Sequence, residues 1–450
     1  MKIYVTKQNV AIGYLEETVF GEISFVYLES IEPEAYIPGL TEKVNHSSSG
    51  LFTVFNNFLP ENNQVDLLKQ KFKIQSNIEV LLYLENIHGS YEFTHEDNFV
   101  LQETSISKII NYADIRKDVL NNDYTYPNIL EDYEININDD FMFPSGIENS
   151  NVIGLSGFQY KFSVDIDYDK KVIGKGRGPK NEYFIKPYSK YYTTFAPKER
   201  DRLYLPYLLI NEHMFMSMAR DLGFDVPYNA IIKQEYDYHY IIKRFDRYKG
   251  FSFDHEEFAT LMGIDSDKKY TPTLRQVFKK AKEYLDSDKI YELMKFFIFS
   301  IVISHGDLHS KNISLINNSN SLSETKKSLS PYYDISTTNI YKGIDKKDIG
   351  MKLNSKTSNI KREDIIEFAK SIELDENEIN TIIDEVCNYF IDNFKNRYIA
   401  LLPANIKALP FYKSTYGKPD SFESMLNKYY ERKCALIGTH FGIKKEEEFF

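Results

Sequence analysis

HGDLHSKN, residues 305–312, is the stretch on which the reading of this chain turns. It follows the apolar run YELMKFFIFSIVI (291–303), so a helical core segment ends where a short polar one begins. Three kinds of structure use such a set of side chains. A solvated turn would let Asp307 and Asn312 satisfy their own backbone. A metal cluster would use His305 and His309, four apart with Asp307 between them, but the pattern is not His-Glu-x-x-His and no third ligand of matching spacing accompanies it. A catalytic loop would use the Asp307 carboxylate as a base. Asn312, five residues on, would then offer a side-chain oxygen to magnesium without adding negative charge.

Composition narrows the classes. The chain has 450 residues, 42% of them hydrophobic, with 35 Tyr, 32 Phe and no Trp, which suits packed cores and argues against disorder. That length is worth roughly three domains, with two, or one large lobe, as the alternatives. The net charge of -11 argues against broad, non-specific nucleic-acid binding. The two cysteines, Cys387 and Cys434, form no CxxC pair and favour a reducing compartment. MKIYVTKQNV lacks the apolar core of a signal peptide, and the apolar run near 295–303 is shorter than the roughly 20 residues of a membrane span. A soluble, cytoplasmic protein with no membrane partner is the expectation.

Alternating or β-like runs at 2–5, 12–15 and 22–28 predict a small sheet, and residues 61–110 read as mixed. Residues 111–150, rich in Asn, Asp and Tyr, read as a connector. Residues 151–187 read as strand, glycine turn, strand. A helix over 200–222 ends at Gly223, and VPYNAIIKQ and YHYIIKRFD read as two further strands. Helices are predicted at 275–286, 290–304, 362–371 and 377–397, and the polar insert INNSNSLSETKKS (316–328) as a solvated hairpin tip or loop. The fold class is α+β, with an N-terminal β-rich subdomain (1–110), a connector (111–150), a sheet-based lobe (151–247) and a mostly helical lobe (248–450).

Candidate residues outside the opening stretch follow the chemistry of phosphoryl transfer. His-x-Asp-Leu-x-x-x-Asn is the pattern of protein-kinase catalytic loops. Asp334, in SPYYDIS, follows Asn312 by 22 residues, where such enzymes carry a magnesium-binding Asp; the local string is Tyr-Asp-Ile, not Asp-Phe-Gly. Lys186, in NEYFIKP, is costly inside an apolar strand unless its charge is paired. ATP phosphates and Glu212, on the next helix, would pair it; an edge-strand lysine reaching solvent is the other reading. In GLSGFQYKF (154–162), Gly154 and Gly157 would let the backbone approach phosphates. GKGRGPK (174–180) reads as a hairpin turn. IIKRFDR (241–247) reads as a connector between lobes, with Lys243 to Phe245 as an adenine-binding hinge and the Arg and Asp free to pair structurally. His213 reads as structural.

Taken in order, GLSGFQYKF, YFIKP, NEHMFMSMARDLGFDVP, IIKRFDR, HEEFATLMGIDSDKKY, HGDLHSKNISL and SPYYDI resemble the HipA family of bacterial toxin kinases over most of the chain. The resemblance implies a two-lobed protein-kinase-like fold. It implies Asp307 as catalytic base, Asn312 and Asp334 on magnesium, Lys186 on ATP phosphates, and Gln159 and Lys161 in the phosphate-facing loop. It further implies phosphorylation of serine or threonine on a protein, with aminoacyl-tRNA synthetases, the glutamyl enzyme first, as the target class. A small DNA-binding antitoxin would be the partner and the chain's link to DNA. Some members autophosphorylate a serine at the position of Gly154, which has no hydroxyl; others use one matching Ser156, which makes Ser156 the candidate regulatory phosphosite. A small-molecule kinase of the same fold and a non-catalytic ATP-binding module are the alternatives.

Overall fold

The computed structural model describes residues 1–47, 50–60, 64–84, 87–100, 108–136, 161–174, 181–187, 205–234, 237–324, 326–341, 344–412 and 420–444. The architecture is mixed α and β, β-rich at the N-terminus and helical at the C-terminus.

Five antiparallel strands open the chain: β1 (Lys2–Lys7), β2 (Val10–Glu17), β3 (Ile23–Tyr27), β4 (Val44–Ser47) and β5 (Tyr91–His95), in the order β4-β3-β2-β1-β5. In β1 the two-residue period turns Ile3, Val5 and Lys7 inward. The first two join a core with Phe25, Phe55 and Ile78. Lys7, on the same face, needs a charge partner, and it finds one outside this subdomain.

Seven strands build the second sheet: β6 (Ile129–Leu130), β7 (Glu134–Asn136), β8 (Phe162–Asp167), β9 (Val172–Gly174), β10 (Tyr183–Lys186), β11 (Asn229–Gln234) and β12 (Asp237–Lys243). The order β6-β11-β12-β10-β8-β9-β7 places β10 in the middle, with Lys186 as its last residue. The helix Leu208–Asp221 lies between this sheet and the helical lobe, so eleven of its fourteen residues are buried and its apolar face is not one-sided. Residues 111–136, expected as a connector, carry the helix Tyr112–Leu120 and the strands β6 and β7.

Two short strands, β13 (Arg247–Tyr248) and β14 (Phe251–Ser252), lead into β15 (His255–Glu257), which pairs with β16 (Ser314–Asn317) and β17 (Lys327–Leu329). The helix Ser287–Ile303 is capped by the Asp286 side chain, which accepts from Lys289 N, and ends at Ser304, whose φ of 55° turns the chain. Arg362–Ser371, Glu376–Asn393 and Phe422–Phe441 complete the helical lobe.

The insert 316–328 forms the expected hairpin between β16 and β17, with Ser323 and Lys326 exposed, but the residues just after β16 depart from expectation. Ser319, Asn320 and Ser321 are buried, not solvated. Residues before the helix Tyr112–Leu120 cover them: Ile110 N donates to Asn320 Oδ1 at 2.7 Å and Tyr112 N to Asn318 O at 2.7 Å. The polar side chains that suggested solvent instead satisfy a neighbouring segment's backbone.

Candidate active site

Three elements converge at the end of β10. The strand delivers Lys186, the helix Leu208–Asp221 delivers Glu212, and the segment after β17 delivers Asp334. Lys186 Nζ lies 2.7 Å from both Glu212 carboxylate oxygens and 2.7 Å from Asp334 Oδ1. Lys186 and Glu212 are buried; the Asp334 side chain keeps 29% of its exposure. Burial alone would lower the Lys186 pKa, yet Asp334 and Glu212 outweigh it and hold the ammonium above its ordinary value. Burial lifts the Glu212 carboxyl to about 7, with Lys186 opposing and Asp334 adding to the rise. Asp334 goes the other way: burial would raise it, but Lys186 and then Lys161 hold it below the usual carboxylate range. Of the two carboxylates sharing Lys186, Asp334 is the one that stays charged.

Asp334 takes the left-handed backbone region, φ 59°, which a non-glycine residue adopts at a cost. Asn211, beside Glu212, fixes the segment that follows: its Nδ2 donates to Thr337 O at 2.8 Å and its Oδ1 accepts from Thr337 N at 3.3 Å. Asn312 reaches Asp334 from the opening stretch, donating through Nδ2 to Asp334 Oδ2 at 3.1 Å, while its Oδ1 accepts from His309 N at 3.1 Å.

The loop holding Asp307 is packed from behind. A Cβ on Gly350 would lie 2.3 Å from Leu308 O, so only glycine allows that approach. His305 is buried, its backbone N donating to Ser300 O at 2.8 Å, and burial pushes its imidazole down to about 4. His309 is likewise buried and held neutral, by burial and then by Lys269. Among the described residues no three His, Cys, Asp or Glu side chains converge as a metal cage. Asp307 itself is exposed and accepts a hydrogen bond from the Tyr270 hydroxyl.

Lys161, Lys186, Glu212, Asp307 and Asp334 line one cleft of about 930 Å³. A smaller cavity of about 70 Å³ lies behind Lys186, lined by Phe184, Ile242, Lys243, Arg244, Phe245 and Tyr333. Lys243 and Phe245 thus reach this second, more apolar space, but the Lys243 ammonium is bound elsewhere, to Asp118 O at 3.0 Å. Gly154, Ser156, Gly157 and Gln159 lie outside the described residues. His213 is structural, with Nδ1 2.6 Å from Asn229 Oδ1 and Nε2 accepting from Asn128 N at 3.1 Å. Sequence reading missed Tyr270 and Asn211. Asn211 stood next to a named candidate, and Tyr270 ends the quoted HEEFATLMGIDSDKKY, so position within shared segments was the available signal.

The arrangement offers a buried, doubly paired lysine, a partly exposed carboxylate with an amide beside it, and an exposed carboxylate across one cleft. Comparisons with known proteins agree. The Y4dM protein of Sinorhizobium fredii, named a kinase by inference, is 25% identical over 300 residues, 63% of this chain and 67% of that protein. A Haemophilus influenzae protein with the same kind of name is 26% identical over 211 residues, 43% of this chain and 54% of that one. A chain of the Shewanella oneidensis toxin–antitoxin complex of HipA, HipB and operator DNA shares the fold, with a TM-score of 0.66 at 16% identity over 98% of each chain. The model of the HipA-like C-terminal domain matches residues 153–394, more than half of the 450 residues, and the chain belongs to the HipA family.

Proposed function

We propose that the protein is an ATP-dependent serine/threonine protein kinase that acts as a growth-inhibiting toxin, with an aminoacyl-tRNA synthetase as target and a small DNA-binding antitoxin as partner. The observation that carries the catalytic part is the Lys186 ammonium held between Glu212 and Asp334, on one cleft with Asp307. A lysine so paired is fixed in place, ready to hold the phosphates of ATP. Asp334 supplies a hard oxygen donor that suits magnesium; Asn312 turns its Nδ2 to Asp334 and its Oδ1 to His309 N, so its amide would have to turn over before it offered a second one. Bound there, magnesium would neutralise phosphate charge. Residues 243–245 are the proposed adenine hinge; the small apolar cavity they border, about 70 Å³, would have to widen to admit the base.

In transfer, Asp307 accepts the proton of the acceptor hydroxyl while the phosphoryl group passes from ATP to that oxygen and ADP leaves. Ser156 is the proposed regulatory phosphosite, since phosphate there would put roughly two negative charges where those of ATP dock. The antitoxin reading rests on the family and on the Shewanella complex, whose HipA is bound with HipB and operator DNA. Cytoplasmic placement is part of the same reading; among the described residues no helix is long and apolar enough to cross a membrane.

The test is to incubate the protein with magnesium and ATP, alone and with a bacterial lysate, beside Asp307→Ala. Phosphate on a lysate protein or on the chain itself, absent in the variant, is the expected result. ATP affinity should stay within a few-fold, because the base adds little to ground-state binding. Phosphate only on small molecules would move the substrate class, and equal transfer by the variant would remove Asp307 from its role.

A further inference from the structure

The quoted segment ending in KKY is tied to the catalytic loop more closely than any role assigned so far requires. Lys269 O accepts from both Ser310 N, at 3.2 Å, and Ser310 Oγ, at 2.8 Å. Ser310 sits inside HGDLHSKN, so the loop itself anchors the residue before Tyr270. On the far side Thr271 closes the turn, its N and its Oγ1 donating to Lys268 O at 2.9 and 2.8 Å. The Tyr270 ring stands edge-on to His309, centroids 5.0 Å apart at 86°. Backbone and ring are therefore held by the loop that carries Asp307, and the hydroxyl donates to Asp307 Oδ1.

Asp307 is exposed on a short loop, and an exposed carboxylate samples more than one side-chain rotamer. A general base must lie within hydrogen-bond reach of the proton it takes, so wandering costs rate. We propose that Tyr270 is a positioning residue for Asp307: its hydroxyl holds Oδ1 and so helps to fix the carboxylate for the acceptor hydroxyl. The inference rests on the kinase reading above. A hydrogen bond to a carboxylate is among the stronger ones, and it favours the ionised form. Tyr270 thus aims the base. Since Tyr270 is 41% exposed and its ring contact survives in phenylalanine, removing the oxygen leaves packing intact.

The experiment compares wild type and Tyr270→Phe, using magnesium ATP with a randomised serine/threonine peptide mixture as acceptor and following self-phosphorylation alongside. In the variant kcat should fall about tenfold with KM for ATP within twofold and an unchanged melting temperature. The other ionisable groups that line the cleft, Lys161, Lys186, Glu212 and Asp334 among them, remain in both proteins, so the difference in kcat reports the lost hydroxyl. An active wild type matched by the variant in kcat overturns this proposal alone. Phosphate found on Tyr270 itself also overturns it, because the tyrosine would then be an acceptor. No transfer by wild type to peptide or to itself overturns the kinase reading and this one with it.

Discussion

Two buried charge networks flank the same small cavity, and they are built differently. One is Lys186–Glu212–Asp334. The other is Arg244–Asp246–Arg247, from the IIKRFDR stretch. In the second, Asp246 Oδ2 accepts from Arg244, Arg247 and the backbone N of Gly89, and the two guanidinium groups donate to the carbonyls of Ile87 and Gly89. Its side chains are at most 5% exposed. Its partners are backbone atoms of the N-terminal subdomain, which cannot be exchanged without undocking that subdomain. In the first network the partners are side chains only, and Asp334 keeps 29% of its exposure. Backbone-tied, sealed charges hold a structure together; side-chain-paired charges at a cleft edge can change partner when a ligand arrives.

The same logic extends to Lys7, the inward-facing charge of β1. It meets Asp254 Oδ2 at 2.8 Å, next to Lys327 on Glu256 at 3.0 Å. Burial alone would lower Lys7, but Asp254 outweighs it and holds the ammonium well above its ordinary value. Lys311, in the loop 305–312 and fully buried, donates to Asn57 O at 3.2 Å and Ser266 Oγ at 2.9 Å. The N-terminal subdomain therefore docks through polar contacts made by β1, by residues 87–89 and by Asn57.

The sharpest way to break the comparison is to open the sealed network. Asp246→Ala strands two buried guanidinium groups, so unfolding free energy should fall by about 3–5 kcal/mol. Urea denaturation measures it, and a loss below about 1 kcal/mol would show that water enters and the network is not sealed. Lys186→Met should do the reverse. Transfer should drop roughly a hundredfold, as when one preorganised electrostatic contact is removed, with a smaller loss of stability than in Asp246→Ala, because burial already lifts the Glu212 carboxyl towards its neutral form and Asp334 keeps 29% of its exposure. A variant that loses fold and activity together would erase the distinction between the two networks.

The smallest effect is a pH slope. Glu212 titrates at about 7 in the fold and near 4.5 when unfolded. Between those values the folded state holds a proton that the unfolded chain has released, so this group makes stability fall as pH rises. Glu212→Gln cannot titrate. Wild type should therefore lose about 1–3 kcal/mol more than the variant between pH 4.5 and 7.5, read from urea unfolding across that range. Parallel curves would mean that Glu212 stays ionised beside Lys186 throughout.

How much of this was legible varies with the reach of each contact. Lys186 and Glu212 could be named because a lysine in an apolar strand announces its own need for a partner and the next helix offered one. Asp307, Asn312 and Asp334 could be named because they sit within one loop and the hairpin after it, where spacing along the chain constrains spacing in space. The helix Ser287–Ile303 was legible from its apolar run. The buried insert near Asn320 was not, because a polar segment reads as solvated until the backbone it serves is known.

The sequence alone determined the α+β class, the strands around Lys186, the long helices after residue 287, and the residues of the candidate site that share a local segment, but not the helix Tyr112–Leu120 or the strands β6 and β7. Side-chain period and loop spacing are properties of the chain itself. Tertiary structure decided the rest: that IIKRFDR clasps residues 87–89, more than 150 positions earlier, that Lys7 finds Asp254, and that Tyr270 reaches Asp307 across 37 residues. A buried charge or an aimed hydroxyl states a requirement in sequence. Which distant group meets it depends on how the layers pack, and no local period encodes that.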